Sequence, residues 1–294
     1  MRCPAGLPAA VLLIAGGADA GELRTDLQMP SAALGRPLPY NIYLPESVGP
    51  EARYPVVYLL HGYGASHHEW VRRGKIAEAL DRMIAAGEIA PVIAVMPGAG
   101  KSWYVDSARF GGPGDYETAI TRDLVEGIDA AYPTRSEPGA RGIAGSSMGG
   151  HGALRLSFGH PGTFSAVAAL SPAIWMPGGI SWISGPIGET AEERARWYPR
   201  TTGESFDMGT FKAQSPFAML DDVAATGTPP TVYLATGDDD YWDLQDGTVE
   251  MYIELRRIGL EPELRVGDGG HDWAYWGSTV PDLLRFFDAA FEAG

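Results

Sequence analysis

The chain has 294 residues, of which 45% are hydrophobic and 20% are charged, and a formal net charge of −15 at pH 7. This length and composition are typical of one large globular domain. A surface this acidic repels phosphate backbones and anionic lipid, so we expect neither nucleic acid nor a membrane surface as a partner. No apolar run reaches the roughly 20 residues that a membrane-spanning helix needs, so we expect no membrane insertion.

The first twenty residues, MRCPAGLPAAVLLIAGGADA, have the pattern of a secretory signal peptide. Arg2 precedes a short apolar run, and the sequence ADA that follows this run is a small-residue cleavage site. We therefore predict a signal peptide over residues 1–20 and one domain over residues 21–294, exported to the periplasm or secreted. Cys3 is the only cysteine, so the mature chain is expected to have neither a disulfide nor a thiolate nucleophile.

The rest of the chain alternates short β-branched runs with helical patterns, which predicts an α/β fold with a mainly parallel sheet. An antiparallel pair at the sheet edge is predicted at Glu22–Met29 and Leu38–Leu44. The further predicted strands are Val56–Leu60, Val92–Met96, Arg141–Ala144, Ala166–Leu170, Thr231–Ala235 and Glu263–Val266. Helical patterns occupy Lys75–Ala86, Glu117–Ala131, Met148–Phe158, Thr248–Ile258 and Val280–Phe291.

One connection, from the strand that ends near Leu170 to the strand that starts near Thr231, is too long for a simple crossover. It has about sixty residues, whereas a βαβ connection needs only about a dozen. It contains a short helical piece at Glu189–Trp197 and three tryptophans. We therefore predict that residues 175–215 pass over the carboxyl ends of the strands, where ligands bind in α/β folds. A surface insertion with no role in binding is the alternative.

The segment GIAGSSMGGHGAL contains the pattern G-x-S-x-G centred on Ser147. Centring the pattern on Ser146 puts Ala144 and Met148 at the positions that need glycine. Glycine is needed because a nucleophile on a sharp strand-to-helix turn has a strained backbone, and side chains two residues away collide with the crossing elements. The segment lies between a predicted strand and a predicted helix, so Ser147 is the predicted nucleophile. Taken alone, the motif is equally consistent with an ordinary turn, because the chain has 39 glycines.

A serine nucleophile needs a base, and the chain has six histidines. His271 lies on a glycine-rich loop after the last predicted strand, which is where the Ser…Asp…His order of such folds places the base. His151 lies one turn into the helix after the serine and is expected to pack there. The adjacent His67 and His68 are expected to point apart, and His160 lies in a turn. His271 is therefore the predicted base.

The acid that orients the base is expected after the strand at Thr231–Ala235, where the sequence is ATGDDDYW. Spacing alone leaves Asp238, Asp239 and Asp240 open. The alternative is that these aspartates, or the sequence HHE at His67–Glu69, bind a metal ion. Neither set has the i, i+4 helical spacing that puts two ligands on one face, so we predict no metal. No phosphate-cradling loop occurs, so we expect no cofactor.

The oxyanion hole and the substrate contacts are predicted from two further features. A second backbone N–H is needed from a loop after an early strand, and VVYLLHGYGASHHEW fits, so the amides of Tyr63 and Met148 are the predicted pair. Aromatic residues cluster near these segments, and flat rings stack on sugars and aromatic acids. We predict substrate contacts for Trp103, Trp242 and Trp273, with core packing as the alternative for each.

Taken together, these segments resemble the esterase D/feruloyl esterase group of α/β-hydrolases. The matching pieces extend over residues 40–276 and are YPVVYLLHGYG, SWYVDS, YPTRSEPGARGIAGSSMGGHGALRLSFGHPGTFSAVAALSP, GDDDYW and GGHDWAYW. The resemblance implies the α/β-hydrolase fold and the roles given above to Ser147, His271 and the two oxyanion amides. It also implies that the acid is Asp240, the third residue after Gly237 at the strand end.

The resemblance further implies a secreted serine carboxylic ester hydrolase acting on acylated carbohydrate or hydroxycinnamoyl esters. Its relatives include mycolyltransferases and S-formylglutathione hydrolases, so acyl transfer to a sugar hydroxyl and thioester hydrolysis are the alternatives. The segment LHGYGAS departs from the formylglutathione subgroup, which usually has a serine-glycine pair followed by Leu-Thr-Cys. The segment GGHDWAYW is more similar to the secreted carbohydrate esterase branch.

Overall fold

A mixed β-sheet forms the centre of the computed structural model, which describes residues 20–46, 51–184 and 190–293. Within those residues the sheet has eight strands in the order β1-β2-β4-β3-β5-β6-β7-β8. β2 runs antiparallel to both of its neighbours, and all the other pairs are parallel. The strands are β1 Glu22–Met29, β2 Leu38–Leu44, β3 Val56–Leu60, β4 Ile93–Pro97, β5 Arg141–Ser146, β6 Ala166–Leu170, β7 Thr231–Gly237 and β8 Glu263–Gly267.

Helices cover both faces of this sheet. Alternate side chains of β3 enter two separate buried clusters, because successive residues of a strand point to opposite faces. α5 and α10 contribute to one cluster, and α2 and α11 contribute to the other. In the described residues the helices are α1 Glu69–Arg72, α2 Ile76–Ala85, α3 Tyr116–Thr118, α4 Val125–Ala131, α5 Met148–Gly159, α6 Ile180–Ser184, α7 Ala191–Trp197, α8 Met208–Ala213, α9 Leu220–Ala225, α10 Leu244–Arg257 and α11 Trp273–Ala293.

The predicted α/β architecture is confirmed, and the strands begin and end within two residues of the prediction. The helix predicted at Glu117–Ala131 is α3, a π-helical segment at Ala119–Leu124, and α4. The predicted signal peptide lies outside the described residues except for Ala20. No helix in the described part of the chain is long and apolar enough to cross a membrane.

Two helices begin earlier than predicted. α10 begins four residues before the predicted start, although Gly247 in its first turn disfavours a helix. Gly247 is needed there because a Cβ atom would lie 2.1 Å from the carbonyl oxygen of Ile174. α11 begins seven residues early and continues through Pro281, a residue that more often marks the first turn of a helix. As a result, Trp273 lies on a helix and not on the glycine-rich loop.

The long connection between β6 and β7 contains α6 to α9. Its predicted helical piece is α7, and Glu189 lies outside the described residues. The carboxylate of Glu250 in α10 accepts hydrogen bonds from the amides of Ile180 and Ser181 at the start of α6. These bonds satisfy amides that a helix N-terminus leaves without partners, and they attach the connection to the main fold.

Candidate active site

Ser147 lies on a strained turn between β5 and α5. Its φ of 55° and ψ of −118° place a non-glycine residue in a region that L-residues rarely adopt. A Cβ atom on Gly145 would lie 2.2 Å from the backbone of Gly149, so the two glycines of the motif are needed for the turn to close. The neighbouring Ser146 is fully buried, and its hydroxyl has no hydrogen-bond partner among the described residues. Of the two adjacent serines, only Ser147 is accessible.

Three side chains that are far apart in the sequence meet at this turn. His271 Nε2 lies 2.9 Å from Ser147 Oγ, and His271 Nδ1 lies 2.8 Å from Asp240 Oδ2. Asp240 is 3% exposed, and its second oxygen accepts a hydrogen bond from the Trp242 amide at 2.9 Å. The arrangement orients the imidazole with one nitrogen on a buried carboxylate and the other on the hydroxyl.

The same contacts distinguish between the three aspartates that spacing left open. Asp238 and Asp239 are exposed, whereas Asp240 is buried against the histidine ring. The amides of Asp238 and Asp239 bond to the carbonyls of Gly267 and Gly269, which fixes the turn after β7. These bonds direct the third aspartate inward. The structure therefore brings Asp240, and not its two neighbours, to the histidine.

The two predicted oxyanion amides belong to residues near the serine: Met148 follows it in the chain, and Tyr63 lines the same cavity. Met148 is the first residue of α5, so its amide has no preceding turn of helix to bond to, and the helix dipole favours negative charge there. Gly62 precedes Tyr63, and a Cβ atom on Gly62 would lie 3.7 Å from the Cβ of Ser147. The Tyr63 amide donates to no acceptor within the described residues.

A cavity of about 400 Å³ opens above the serine. Its walls include the three tryptophans with predicted substrate contacts, Trp103, Trp242 and Trp273. Trp103 and Trp273 also have structural contacts, because their indole N–H groups donate to the Trp197 carbonyl at 2.8 Å and to Glu69 Oε1 at 3.1 Å. The aromatic clustering in the sequence thus indicated three residues of the cavity wall, and their contact with substrate stays a prediction.

Other residues of the cavity wall were not singled out as site residues by the sequence. The long connection supplies Trp175, Trp197 and Tyr198, which confirms that it passes over the carboxyl ends of the strands. Glu69, Arg73 and Tyr241 also belong to this group. The three tryptophans of the connection indicated that it contributes to the cavity wall, although one of them, Trp182, lies outside that wall. The sequence singled out Glu69 only within the HHE weighed as a metal site, and no local pattern distinguishes Arg73 from other surface charges.

His151 is buried, as predicted. Burial, together with the positive charge of Arg155, lowers its pKa to about 3, so the ring is neutral at ordinary pH. It packs edge-on against Trp103, with ring centroids 5.4 Å apart. His160 donates to Glu117, which also pairs with Arg155. Both histidines therefore have structural contacts away from the serine.

The prediction that His67 and His68 point apart is wrong. Their ring centroids are 4.1 Å apart, because both Nε2 atoms approach Asp26 Oδ1, at 3.1 and 3.0 Å. These three groups have the composition of a metal site. However, the Asn41 amide nitrogen faces His68 Nδ1 at 3.3 Å, while the Asn41 oxygen accepts from the Asp26 amide. This network assigns the His68 proton to Nε2, which then donates to Asp26, whereas a ligating nitrogen needs a free lone pair.

A mostly parallel sheet, with a serine on a strained turn after a central strand and a histidine after the last strand, defines an α/β-hydrolase. The chain belongs to a family of carboxylic ester hydrolases: the family model described as "Putative esterase" matches residues 31–287. The resemblance seen in the sequence is thereby confirmed.

Three known proteins illustrate this relationship. The chain is 31% identical over 157 residues to an endo-1,4-beta-xylanase/feruloyl esterase of Xylanibacter ruminicola, a match that covers 50% of this chain and 21% of that protein. It is 25% identical to an acetyl esterase of Caldicellulosiruptor saccharolyticus, over 78% of this chain and 82% of the relative. A solved ferulic acid esterase superposes with a TM-score of 0.74 at 28% identity, covering 92% of this chain and 99% of the other.

Proposed function

We propose that this protein is a secreted serine carboxylic ester hydrolase whose catalytic residues are Ser147, His271 and Asp240. The observation that carries the proposal is the pair of hydrogen bonds, 2.9 and 2.8 Å long, that joins the three side chains at the base of the aromatic cavity. Membership of the esterase family supports the same reaction class.

In the proposed reaction, Ser147 Oγ attacks the acyl carbon of the ester while His271 Nε2 takes the hydroxyl proton. The Asp240 carboxylate accepts from Nδ1–H, which keeps Nε2 free to act as a base and stabilises the imidazolium. The Tyr63 and Met148 amides bind the tetrahedral oxyanion. The imidazolium then gives its proton to the departing alcohol. A water molecule, deprotonated by the same ring, then attacks the acyl-enzyme. The bond between the acyl carbon and Ser147 Oγ breaks, the ring returns its proton to Oγ, and the acid is released.

Substitution of the two adjacent serines tests this mechanism. We expect Ser147→Ala to lower kcat on p-nitrophenyl acetate by about 10⁴-fold or more. Ser146→Ala is the matched control, because the buried Ser146 hydroxyl makes no hydrogen bond within the part of the chain that the structure describes. A fluorophosphonate probe should label the wild type and Ser146→Ala but not Ser147→Ala. A Ser147→Ala protein that hydrolyses the ester at the wild-type rate would rule the mechanism out.

The proposed substrates are acylated carbohydrates or hydroxycinnamoyl esters. The aromatic wall of the cavity supports this class, since flat rings stack on sugars and aromatic acids. Two relatives are described as feruloyl or ferulic acid esterases. Assays on methyl ferulate, acetylated xylan oligomers and p-nitrophenyl acetate test the proposal, and activity confined to the last would contradict it. A new ester formed when trehalose is added, detected by mass spectrometry, would reassign the second step to acyl transfer.

The proposal includes export of one esterase domain, residues 21–294, after removal of a signal peptide, residues 1–20. The pattern of charge, apolar run and small-residue site in the sequence supports it. Expression of the full chain in a bacterial host, followed by N-terminal sequencing of the exported protein, should give Gly21 as the first residue. A product that stays in the cytoplasm with the leader intact would contradict the proposal.

A further inference from the structure

Glu69 is a half-buried carboxylate in the wall of the cavity, and the proposed reaction gives it no role. It is the first residue of α1, and its two oxygens face two different parts of the site. Oε2 accepts a hydrogen bond from the Gly62 amide at 2.8 Å, and Oε1 accepts one from the Trp273 indole N–H at 3.1 Å. One side chain thus joins the loop after β3 to the start of α11, two residues beyond His271.

The bond from Gly62 to Glu69 holds the peptide between His61 and Gly62, which comes immediately before the peptide that carries the Tyr63 N–H. The carbonyl of His61 accepts from the Tyr104 hydroxyl at 2.9 Å, so the peptide between His61 and Gly62 is held on both sides. The next carbonyl, that of Gly62, lies 2.7 Å from His61 Nδ1 and accepts from the Ala65 amide at 3.2 Å. Because a trans peptide points its C=O and N–H in opposite directions, these bonds fix the direction of the Tyr63 N–H.

The ring of His61 is itself held in one tautomer. Its Nε2 accepts from the Ala99 amide at 2.9 Å, so the proton is on Nδ1 and is donated to the Gly62 carbonyl. Burial lowers the pKa of His61, which keeps the ring neutral. Glu69 holds this loop through the Gly62 amide and also contacts the helix following the base through the Trp273 indole.

We propose that Glu69 is a positioning residue for ester hydrolysis, holding the oxyanion loop and the start of α11 in a fixed relation to each other. This inference rests on the proposed function. A carboxylate accepts hydrogen bonds on both oxygens, whereas the amide of glutamine has one oxygen acceptor and one NH₂ donor. Glu69→Gln therefore keeps the size of the side chain, but it places the glutamine NH₂ group against another donor. That donor is either the Gly62 amide or the Trp273 indole N–H.

Kinetics on p-nitrophenyl acetate combined with inhibition by phenylboronic acid test the proposal. Boron forms a tetrahedral adduct with a serine oxygen, so the affinity of the inhibitor reports on the oxyanion site. We expect Glu69→Gln to lower kcat by about tenfold or more and to weaken the boronic acid by a similar factor, with KM changed by less than about twofold. Glu78→Gln in α2 is the matched control, because Glu78 is exposed and away from the cavity.

Trp273→Phe provides a second test that separates positioning from general stability. It removes the indole N–H and keeps an aromatic ring against Trp70, whose centroid is 5.1 Å away. In this background the glutamine can turn its oxygen to Gly62 and its NH₂ group to the space left by the indole nitrogen. We expect Glu69→Gln to lower kcat by less than about threefold when it is introduced into Trp273→Phe.

Two results would overturn the proposal. One is a Glu69→Gln protein with the kcat and the boronic acid affinity of the wild type. The other is an equal loss of kcat when Glu69→Gln is introduced into the wild type and into Trp273→Phe. The second result means that Glu69 acts on the fold as a whole, and a lowered Tm would accompany it. Failure of the proposed function is recognised separately, since it is decided by Ser147→Ala and by probe labelling in the wild-type background.

Discussion

Gly145 and Gly149 face each other across the turn that carries Ser147, so closely that a Cβ atom on Gly145 would lie 2.2 Å from the carbonyl carbon and oxygen of Gly149. A Cβ atom on Gly149 would in turn lie 2.3 Å from the carbonyl oxygen of Leu60, at the end of β3. Both contacts are with backbone, which cannot rotate away as a side chain can. The turn that carries Ser147 and the neighbouring strand therefore fit together only when both positions are glycine.

Gly145→Ala should lower both stability and activity. The added methyl group forces the backbone around Ser147 apart, and we expect a loss of about 1–3 kcal/mol or more in the free energy of unfolding. Urea unfolding measures the stability, and kcat on p-nitrophenyl acetate reports the displacement of the hydroxyl. Gly277→Ala is the control: it lies in α11, where no described residue outside its own stretch of helix comes within 4 Å of the new Cβ atom, and alanine should stabilise that helix by up to about 1 kcal/mol. Equal stabilities of the two variants would contradict the expectation.

Asp240→Asn should lower kcat by about 10⁴-fold, with little change in stability. An asparagine amide in place of the carboxylate can donate to Nδ1, which leaves the proton of the ring on Nε2, facing Ser147. The ring then cannot accept the serine proton. Asp239→Asn is the matched control, because Asp239 is exposed and its fixed contact is through the backbone. An Asp240→Asn protein that keeps more than about a tenth of the wild-type kcat would show that the orienting acid lies elsewhere.

His151 should make the protein less stable in mild acid. Burial, with a contribution from Arg155, lowers the pKa of His151 to about 3 in the folded state, while the ordinary value of 6.5 applies to the unfolded chain. The unfolded state therefore binds one more proton below pH 6.5, and the free energy of unfolding falls by up to about 1.4 kcal/mol per pH unit between pH 6.5 and 3.

His151→Gln should remove this contribution, because the glutamine side chain does not titrate. Urea unfolding at pH 7, 6, 5 and 4 compares the two slopes, and we expect the variant to lose less stability than the wild type as the pH falls. Identical slopes would mean that the buried ring is protonated in the folded protein, contrary to its environment.

Trp197→Ala should discriminate between large and small substrates. The ring of Trp197 packs 5.1 Å from Tyr63 and 5.5 Å from Trp242 in the cavity wall, and its carbonyl bond to Trp103 is retained in the variant. We expect kcat/KM to fall by about 3–10-fold on methyl ferulate, corresponding to the loss of one aromatic contact, and much less on p-nitrophenyl acetate.

Trp182→Ala is the control from the same connection. Trp182 packs against Phe211 and Lys212 and lies outside the cavity wall. It should change the two activities by the same factor. A parallel loss on both esters in Trp197→Ala would show that this ring does not contact the acyl group.

The sequence predicted the fold well because its strands and most of its helices are defined by local patterns. The glycine requirement around Ser147 is likewise a local steric rule, so the accessible serine could be distinguished from Ser146 by spacing alone. The start of α11 was missed because Pro281 is a strong local signal for a helix start, and packing of Trp276 and the residues after it outweighs that signal.

The sequence by itself determined the class of fold, and it predicted the nucleophile and the order in which the base and the acid follow it. Spacing left three aspartates open, and the tertiary structure showed that Asp240, the one that the family resemblance implied, is the buried partner of His271. Only the tertiary structure decided that the long connection supplies part of the cavity wall and that Glu69 joins the loop after β3 to the start of α11. The physical reason is the range of the interactions. Steric and periodic rules act between near neighbours in the chain, whereas burial of a carboxylate and the meeting of loops depend on how distant segments pack.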